Sequence, residues 1–271
     1  MSFSVEGKTA IVTGAAHGIG FAIARHLSRA GANVMFADID ETRLKEELSD
    51  EADNEKIAYF AGDLRERLTL NNLMSATLDS FDRLDILVNA SRQVHATDAD
   101  ILDLDDVVEQ QLQQNLMTSL RLTQIAAKRM IAQAEANEGI DDDRPVGSII
   151  NLSSIAARRT HPQLLAFSVS TAALDQLTRS HAVALAPHRI RVNSVAFGSV
   201  MSSSLKHTLR DNVDYRSEIV DHTPLSRIAN PSEVAETVQF LASEGSGFMT
   251  GQILTVDGGR TLVDPVTAPA H

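Results

Sequence analysis

Thr13-Gly14-Ala15-Ala16-His17-Gly18-Ile19-Gly20 lies between the apolar run Thr9 to Val12 and a helical pattern that begins at Ile19. Three glycines at this spacing let the backbone turn sharply out of a strand and come close to a ligand, while the amides that open the next helix point at an anion. Helix caps and tight turns use glycine for purely structural reasons, so the spacing alone is a weak signal. Strand, turn and helix in this order near the N-terminus make it a phosphate cradle suited to a dinucleotide. Its candidate contacts are Gly14, His17, Gly18, Ile19 and Gly20. His17 either touches a phosphate when protonated or is simply exposed.

Outward from this turn, short apolar segments alternate with longer helical patterns, the signature of a parallel sheet wound on both faces. Strands are predicted at Thr9 to Thr13, Asn33 to Ala37, Ile57 to Ala61, Asp85 to Asn89, Ser148 to Leu152, Arg191 to Val195 and Ile253 to Val256. Helices are predicted at Gly18 to Ala30, Glu41 to Asp50, Arg67 to Ser80, Asp105 to Ala134, Pro162 to Ala186 and Pro231 to Ala242. The expected fold class is therefore α/β: a doubly wound, Rossmann-type, seven-stranded parallel sheet with helices on both faces. Right-handed crossovers would set the strand ends that bind ligands along one edge. Glu135 to Val146, with its charge run and proline, reads as a solvated loop. Phe197 to Pro224 is long for a connection and shows little periodicity, so it is expected to be a lid over a site or mobile. One domain over residues 1–262 is expected, with 197–224 as its lid-like segment and 263–271 as an irregular tail.

Length and composition bound the function. The chain has 271 residues, 43% of them apolar, enough for a sizeable core in one α/β domain. With 24 basic and 36 acidic residues the net charge is −12, and no segment carries a basic stripe. Nucleic acid and anionic membrane surfaces are poor partners for such a chain. The absence of cysteine excludes disulfides and thiolate chemistry. No signal-peptide layout opens the chain and no apolar run is long enough to span a membrane, so a cytoplasmic location is expected.

Beyond the turn, three side chains fall at predicted strand ends. Asp38 stands eighteen residues past Gly20, where a carboxylate accepts hydrogen bonds from ribose hydroxyls and repels a 2′-phosphate; the alternative is an ordinary helix cap. That position favours NAD(H) over NADP(H). Asp63 follows the third strand and is placed to bind an adenine amino group. Asn89 ends the fourth, either bridging backbone groups around a cofactor or capping the strand. No histidine or carboxylate cluster has metal-ligand spacing.

Thr13 to Gly20, Asp38, Asp63-Leu64, Leu84 to Asn89, Asn115, Ser153-Ser154, Ile190-Arg191-Val192-Asn193 and Asp257-Gly258-Gly259 together resemble the short-chain dehydrogenase/reductase family, over nearly the whole chain. The resemblance implies an oxidoreductase acting on a small alcohol or carbonyl, with Leu64 added to the cofactor contacts. It also implies a tetrad of Asn, Ser, Tyr and Lys, in which Tyr transfers the proton while Lys lowers its pKa and binds ribose. Asn115 and Ser154 match the first two. Thirteen residues after Ser154, where the family has Tyr-x-x-x-Lys, this chain has Phe167-Ser168-Val169-Ser170-Thr171. No shift of register restores the motif, because the only tyrosines are Tyr59 and Tyr215 and no lysine lies between Lys128 and Lys206. A phenol must come down from a reference pKa of about 10 to act near neutrality, and Thr171 carries no charge to move it. General acid–base work contributes about 10²- to 10⁴-fold in rate, so ~3 to 5 kcal/mol of transition-state stabilisation is missing.

Other departures fall beside the same site. Asn89-Ala90-Ser91-Arg92 stands where the family has Asn-Asn-Ala-Gly, and Phe197-Gly198 stands for its Pro-Gly. Ser202 keeps a hydroxyl where the family's Thr meets the nicotinamide amide. His95, His161, His207 and Tyr215 carry groups able to substitute as acid. Three functions follow: an NAD(H)-dependent oxidoreductase with a nonstandard mechanism, a cofactor-binding pseudoenzyme acting as sensor, partner subunit or structural protein, and a non-redox enzyme reusing the pocket. The resemblance further implies a homo-oligomer, dimer or tetramer. The substrate, a small molecule, is not readable from the chain.

Overall fold

A computed structural model of the chain describes residues 3–51, 53–94, 96, 105–136 and 144–264. Its strands are β1 (Thr9–Thr13), β2 (Asn33–Asp38), β3 (Ile57–Ala61), β4 (Ile86–Asn89), β5 (Gly147–Ser154), β6 (Ile190–Phe197) and β7 (Ile253–Val256). Its α-helices are α1 (Gly18–Arg29), α2 (Glu41–Glu47), α3 (Arg67–Phe81), α4 (Asp105–Gln111), α5 (Thr118–Ala136), α6 (Leu165–Leu185), α7 (Ser203–Asp211), α8 (Tyr215–Asp221) and α9 (Pro231–Ala242). The seven strands form one parallel sheet in the order β3-β2-β1-β4-β5-β6-β7. The chain returns to the sheet centre between β3 and β4, so β1 and β4 are neighbours whose helices leave on opposite faces. That reversal opens a crevice at their C-terminal ends, the place where open α/β sheets bind ligands.

Alternation along the strands builds two cores. Ala10 and Val12 of β1 face one cluster, while Ile11 between them faces the other. On the first face α1 buries Ile23, Ala24 and Leu27 at helical spacing against Val234, Val238 and Leu241 of α9. On the second, Leu70 and Leu73 of α3 meet Leu122, Ala126 and Met130 of α5. Sheets covered on both faces read as continuous apolar runs, which is why β1 and β4 are buried at every position.

Arg191, part of the Ile190 to Asn193 motif, has a structural task. Its guanidinium donates to the carbonyls of Leu241 (2.8 Å) and Ser243 (3.2 Å), groups the end of α9 leaves without intrahelical partners. Asn193 likewise ties β6 to the segment before β7 through Met249 O and Gln252 N.

Two expectations are corrected. The helix predicted from Asp105 to Ala134 is interrupted by a π-helical turn, Leu112–Met117, before α5 begins. The 197–224 segment carries α7 and α8 rather than an irregular loop. Neither helix buries a residue, so no core-facing stripe marked them in the sequence. Residues 137–143 of the expected loop and 265–271 of the expected tail lie outside the described residues.

Candidate cofactor and active site

The glycine turn leaves β1 with Gly14 at φ +65°, and a Cβ there would lie 2.9 Å from Ser91 Cα and 3.0 Å from Ala90 O. Thr13 fixes this approach, since its Oγ1 accepts from the backbone N–H groups of both Ala90 and Ser91 at 2.9 Å. A Cβ on Gly20 would collide with the Gly14 carbonyl, so the start of α1 presses directly onto the turn. The result is a cradle with no side chain on its inner wall and the first amides of α1 opening into it. This fits the pyrophosphate of a dinucleotide. His17 occupies the N-cap of α1 without a side-chain cap bond and is exposed. Gly18 opens the helix, and Ile19 turns its side chain to the core, leaving only its backbone for a ligand.

Asp38 belongs to the cradle. Its carboxylate accepts from Ala16 N at 3.0 Å and Asp40 N at 3.1 Å, one bond per oxygen, so each oxygen keeps acceptor capacity toward the crevice. The helix cap of α2 is Asp40, which accepts from Arg43 N, so the alternative reading of Asp38 as that cap does not hold. Asp63 stands beyond β3 on the same edge, but Arg65 closes on it through Nε (2.9 Å) and Nη2 (2.5 Å) and holds its carboxyl below the usual range. That fork, with Arg65 N, leaves little acceptor capacity for an adenine amino group. Leu64 is buried in the second core. Asn89 donates to Thr123 Oγ1 (3.2 Å) and Asn151 Oδ1 (2.8 Å). These bonds tie the end of β4 to side chains of α5 and β5.

The candidate tetrad residues converge past β4 and β5. Asn115 sits in the π-helical turn, where its amide donates to Gln93 O (3.0 Å) and Ser170 Oγ (3.1 Å) and its Oδ1 accepts from Gln93 N (2.9 Å). It clamps the chain leaving β4 onto α6. Ser154 ends β5, is buried, and accepts from Ala156 N at 3.2 Å, leaving its hydroxyl proton free to donate. Phe167 and Thr171 lie buried on one face of α6. The Thr171 hydroxyl donates to Phe167 O and Ser168 O at 2.9 and 3.2 Å, so it is spent on its own helix.

Arg92 is the residue whose placement long-range structure alone reveals. Its guanidinium lies 4.1 Å from the Phe197 ring centroid and 5.8 Å from that of Phe167, and donates to Ser153 O at 3.0 Å. Gly198 follows Phe197 at the end of β6. Ser202 caps α7 by accepting from Leu205 N, and Ser203 Oγ comes 3.8 Å from where a Gly18 Cβ would stand. The start of α7 thus comes close to Gly18 at the start of α1.

The described substitute acids, His161, His207 and Tyr215, are exposed rather than gathered at this site. His161 caps a short 3₁₀ turn, accepting from Gln163 N, and is exposed. His207 and Tyr215 are exposed on α7 and α8, and His95 lies outside the described residues. Among the described residues no cluster of His, Asp or Glu has a metal-binding arrangement. No helix among them is long and apolar enough to cross a membrane.

Comparison with known proteins agrees with this architecture. A family model described as enoyl-(acyl carrier protein) reductase matches residues 14–261. A short chain dehydrogenase/reductase of Aspergillus oryzae is 31% identical over 266 residues, covering 96% of this chain and 97% of the relative. A 7α-hydroxysteroid dehydrogenase complexed with NADH and 7-oxo glycochenodeoxycholic acid superposes with a TM-score of 0.82 at 28% identity, covering 95% of this chain and 96% of that one. A gluconate 5-dehydrogenase from Burkholderia cenocepacia, in complex with NADP and tartrate, reaches 0.85 at 26% identity over 97% and 98% of the two chains. With its sheet order, its glycine cradle and these whole-length matches, the chain belongs to the short-chain dehydrogenase/reductase family of oxidoreductases.

Proposed function

We propose that this chain binds NAD(H) in preference to NADP(H), and that it moves hydride between that cofactor and a small alcohol or carbonyl without the family's tyrosine and lysine. The observation that carries the cofactor preference is the Asp38 carboxylate, anchored on Ala16 N at 3.0 Å beside the phosphate cradle. A fixed negative charge there accepts from free ribose hydroxyls and opposes a 2′-phosphate. The two ligand-bound relatives, one with NADH and one with NADP, support a nicotinamide cofactor without choosing between them.

When bound, the nicotinamide supplies the carbon that gives or takes the hydride. The protein's part is placement. The turn amides of Gly14 to Gly20 hold the pyrophosphate, and Asp38 orients the adenine ribose. Ser154 donates its free hydroxyl proton to the substrate oxygen as a hydrogen bond. In reduction, water would give the alkoxide the proton that the missing phenol would have donated; in oxidation, it would take the proton leaving the alcohol. Orientation alone supplies substantial rate, so loss of the acid slows the reaction without forbidding it.

A second reading, a cofactor-binding protein without turnover, draws support from Thr171, whose hydroxyl is folded onto its own helix, and from Phe167, which has no proton to give. We further propose a homo-oligomer through α5 and α6, supported by the exposure of Val169 and Val183 on α6. The net charge of −12 and the lack of cysteine support a cytoplasmic protein without nucleic-acid or membrane partners.

Titration of the protein with NADH, read by fluorescence, tests the cofactor reading. Saturable binding, weaker for NADPH, is expected; a folded protein with no saturable NADH binding overturns it. A panel of alcohols and carbonyls then separates the two readings, slow turnover supporting the first and none the second.

A further inference from the structure

We propose that Arg92 makes the floor of the crevice a receptor for a carboxylate, so that the second ligand is a small carboxylic acid whose neighbouring carbonyl or hydroxyl reaches Ser154. The guanidinium is stacked on Phe197 at 4.1 Å and beside Phe167 at 5.8 Å, and it spends one bond on Ser153 O. Five N–H donors are available on arginine, and no carboxylate of the described residues lies within ion-pair distance of this one. Arg191 shows the contrast. Its side chain is buried, but its two Nη atoms meet Ser246 Oγ, Met249 O, Leu241 O and Ser243 O, and its role is structural. Burial pushes Arg92 down to about 10, which leaves it charged at neutral pH.

A partly buried cation with no counter-ion among the described residues keeps donors for an anionic ligand. Two sources of anion exist here, the pyrophosphate of the cofactor and a carboxylate on the substrate. The chain at Ser91 packs against Gly14 of the cradle, but the guanidinium of Arg92 itself rests on the ends of β5 and β6, on Ser153 O and the Phe197 ring. The carboxylate is therefore favoured. Ser154, the next residue along β5 from the carbonyl that anchors Arg92, has its hydroxyl proton free. The planar fork of arginine matches a carboxylate in two-point contact.

The inference uses the proposed function only for the role of Ser154, and its test needs no dinucleotide. Calorimetric titration of the cofactor-free protein with pyruvate, 2-hydroxybutyrate, the neutral analogue pyruvamide and inorganic pyrophosphate reads it directly. Wild type is expected to bind at least one of the two acids saturably, and pyruvamide at least tenfold more weakly. Arg92→Met is expected to lose tenfold or more in acid affinity, and Arg92→Lys, which keeps charge without the fork, to fall between. Circular dichroism establishes that each variant is folded, and the comparison of ligands on wild type stands even where a variant is not. Equal binding of acid and neutral analogue, no binding of either acid, or undiminished acid binding by Arg92→Met overturns the proposal. Binding of pyrophosphate but neither acid assigns Arg92 to the cofactor instead and also overturns it. Failure of NADH to bind while the acids still do would leave this inference standing and remove the cofactor reading.

Discussion

The Thr13 hydroxyl oxygen lies 2.9 Å from the backbone nitrogen of Ser91, joining the glycine turn to the chain that leaves β4, and it accepts from Ala90 N at the same distance. Thr13→Val keeps the shape of the side chain but leaves both amides without this acceptor. Each orphaned buried donor costs about 1–3 kcal/mol. At about 2–4 °C per kcal/mol for a chain of this size, a fall in Tm of roughly 5 °C or more is expected, together with weaker NADH binding. Thr13→Ser, which restores the oxygen, is expected to recover most of both. Thermal unfolding and NADH titration on the two variants check this.

Asp38 gives the second prediction. Asp38→Asn keeps an oxygen for Ala16 N but removes the charge that opposes a 2′-phosphate. The ratio of NADPH to NADH affinity is expected to rise roughly tenfold, about 1.4 kcal/mol, with little change in Tm. An unchanged ratio in parallel fluorescence titrations would show that Asp38 does not choose the cofactor.

How much of this was legible in the chain depends on the range of the interaction. The cradle, the strands and their fold class follow from local glycine spacing and apolar runs, and three strands, β1, β3 and β7, begin and end as predicted. The π-helical turn at Asn115 was not legible, because it depends on ties from Asn115 to Gln93 and Ser170 that no helical pattern encodes. Position alone places Asp63 for an adenine amino group, yet Arg65 two residues on captures its carboxylate, an interaction set by the local turn. In the chain Arg92 shows only as an arginine where the family has a glycine. Its stack needs Phe167 and Phe197 brought together from α6 and β6, far apart in sequence.

Restoring the proton-transfer pair tests the mechanism. Phe167→Tyr with Thr171→Lys places a phenol and an ammonium one helical turn apart on the buried face of α6. Turnover of substrates accepted by the wild type is expected to rise about 10²- to 10⁴-fold, through kcat more than KM. Thr171 is buried, so the lysine is expected to lower Tm, and activity is to be compared at a temperature where both proteins are folded. Wild-type turnover equal to that of the double variant would mean that the chain has a proton donor of its own.

The acid limit of stability is set in part by the entrance to α9. Arg227 forks onto Glu233 at 2.6 and 2.7 Å, and Asn230 N donates to the same carboxylate at 2.7 Å, completing a capping box with the Asn230 side chain. The Arg227 guanidinium and that backbone bond hold the Glu233 carboxyl down to about 2. In the unfolded chain the same group titrates near 4.3, so on acidification the unfolded state takes up the proton first. The contribution is therefore complete above about pH 5 and is lost as the pH falls from there toward 2. The group is largely solvated, and screening reduces the benefit to the order of 1 kcal/mol, about what a helix cap supplies. Because Val234, Val238 and Leu241 of the same helix pack on Ile23 and Leu27 behind the cradle, loosening this entrance reaches the core that supports α1. Glu233→Gln is expected to lower Tm by about 2–4 °C at pH 7 and by progressively less toward pH 3, so that the two stability curves converge in acid. Parallel curves across that range would place the Glu233 contribution elsewhere than in its charge.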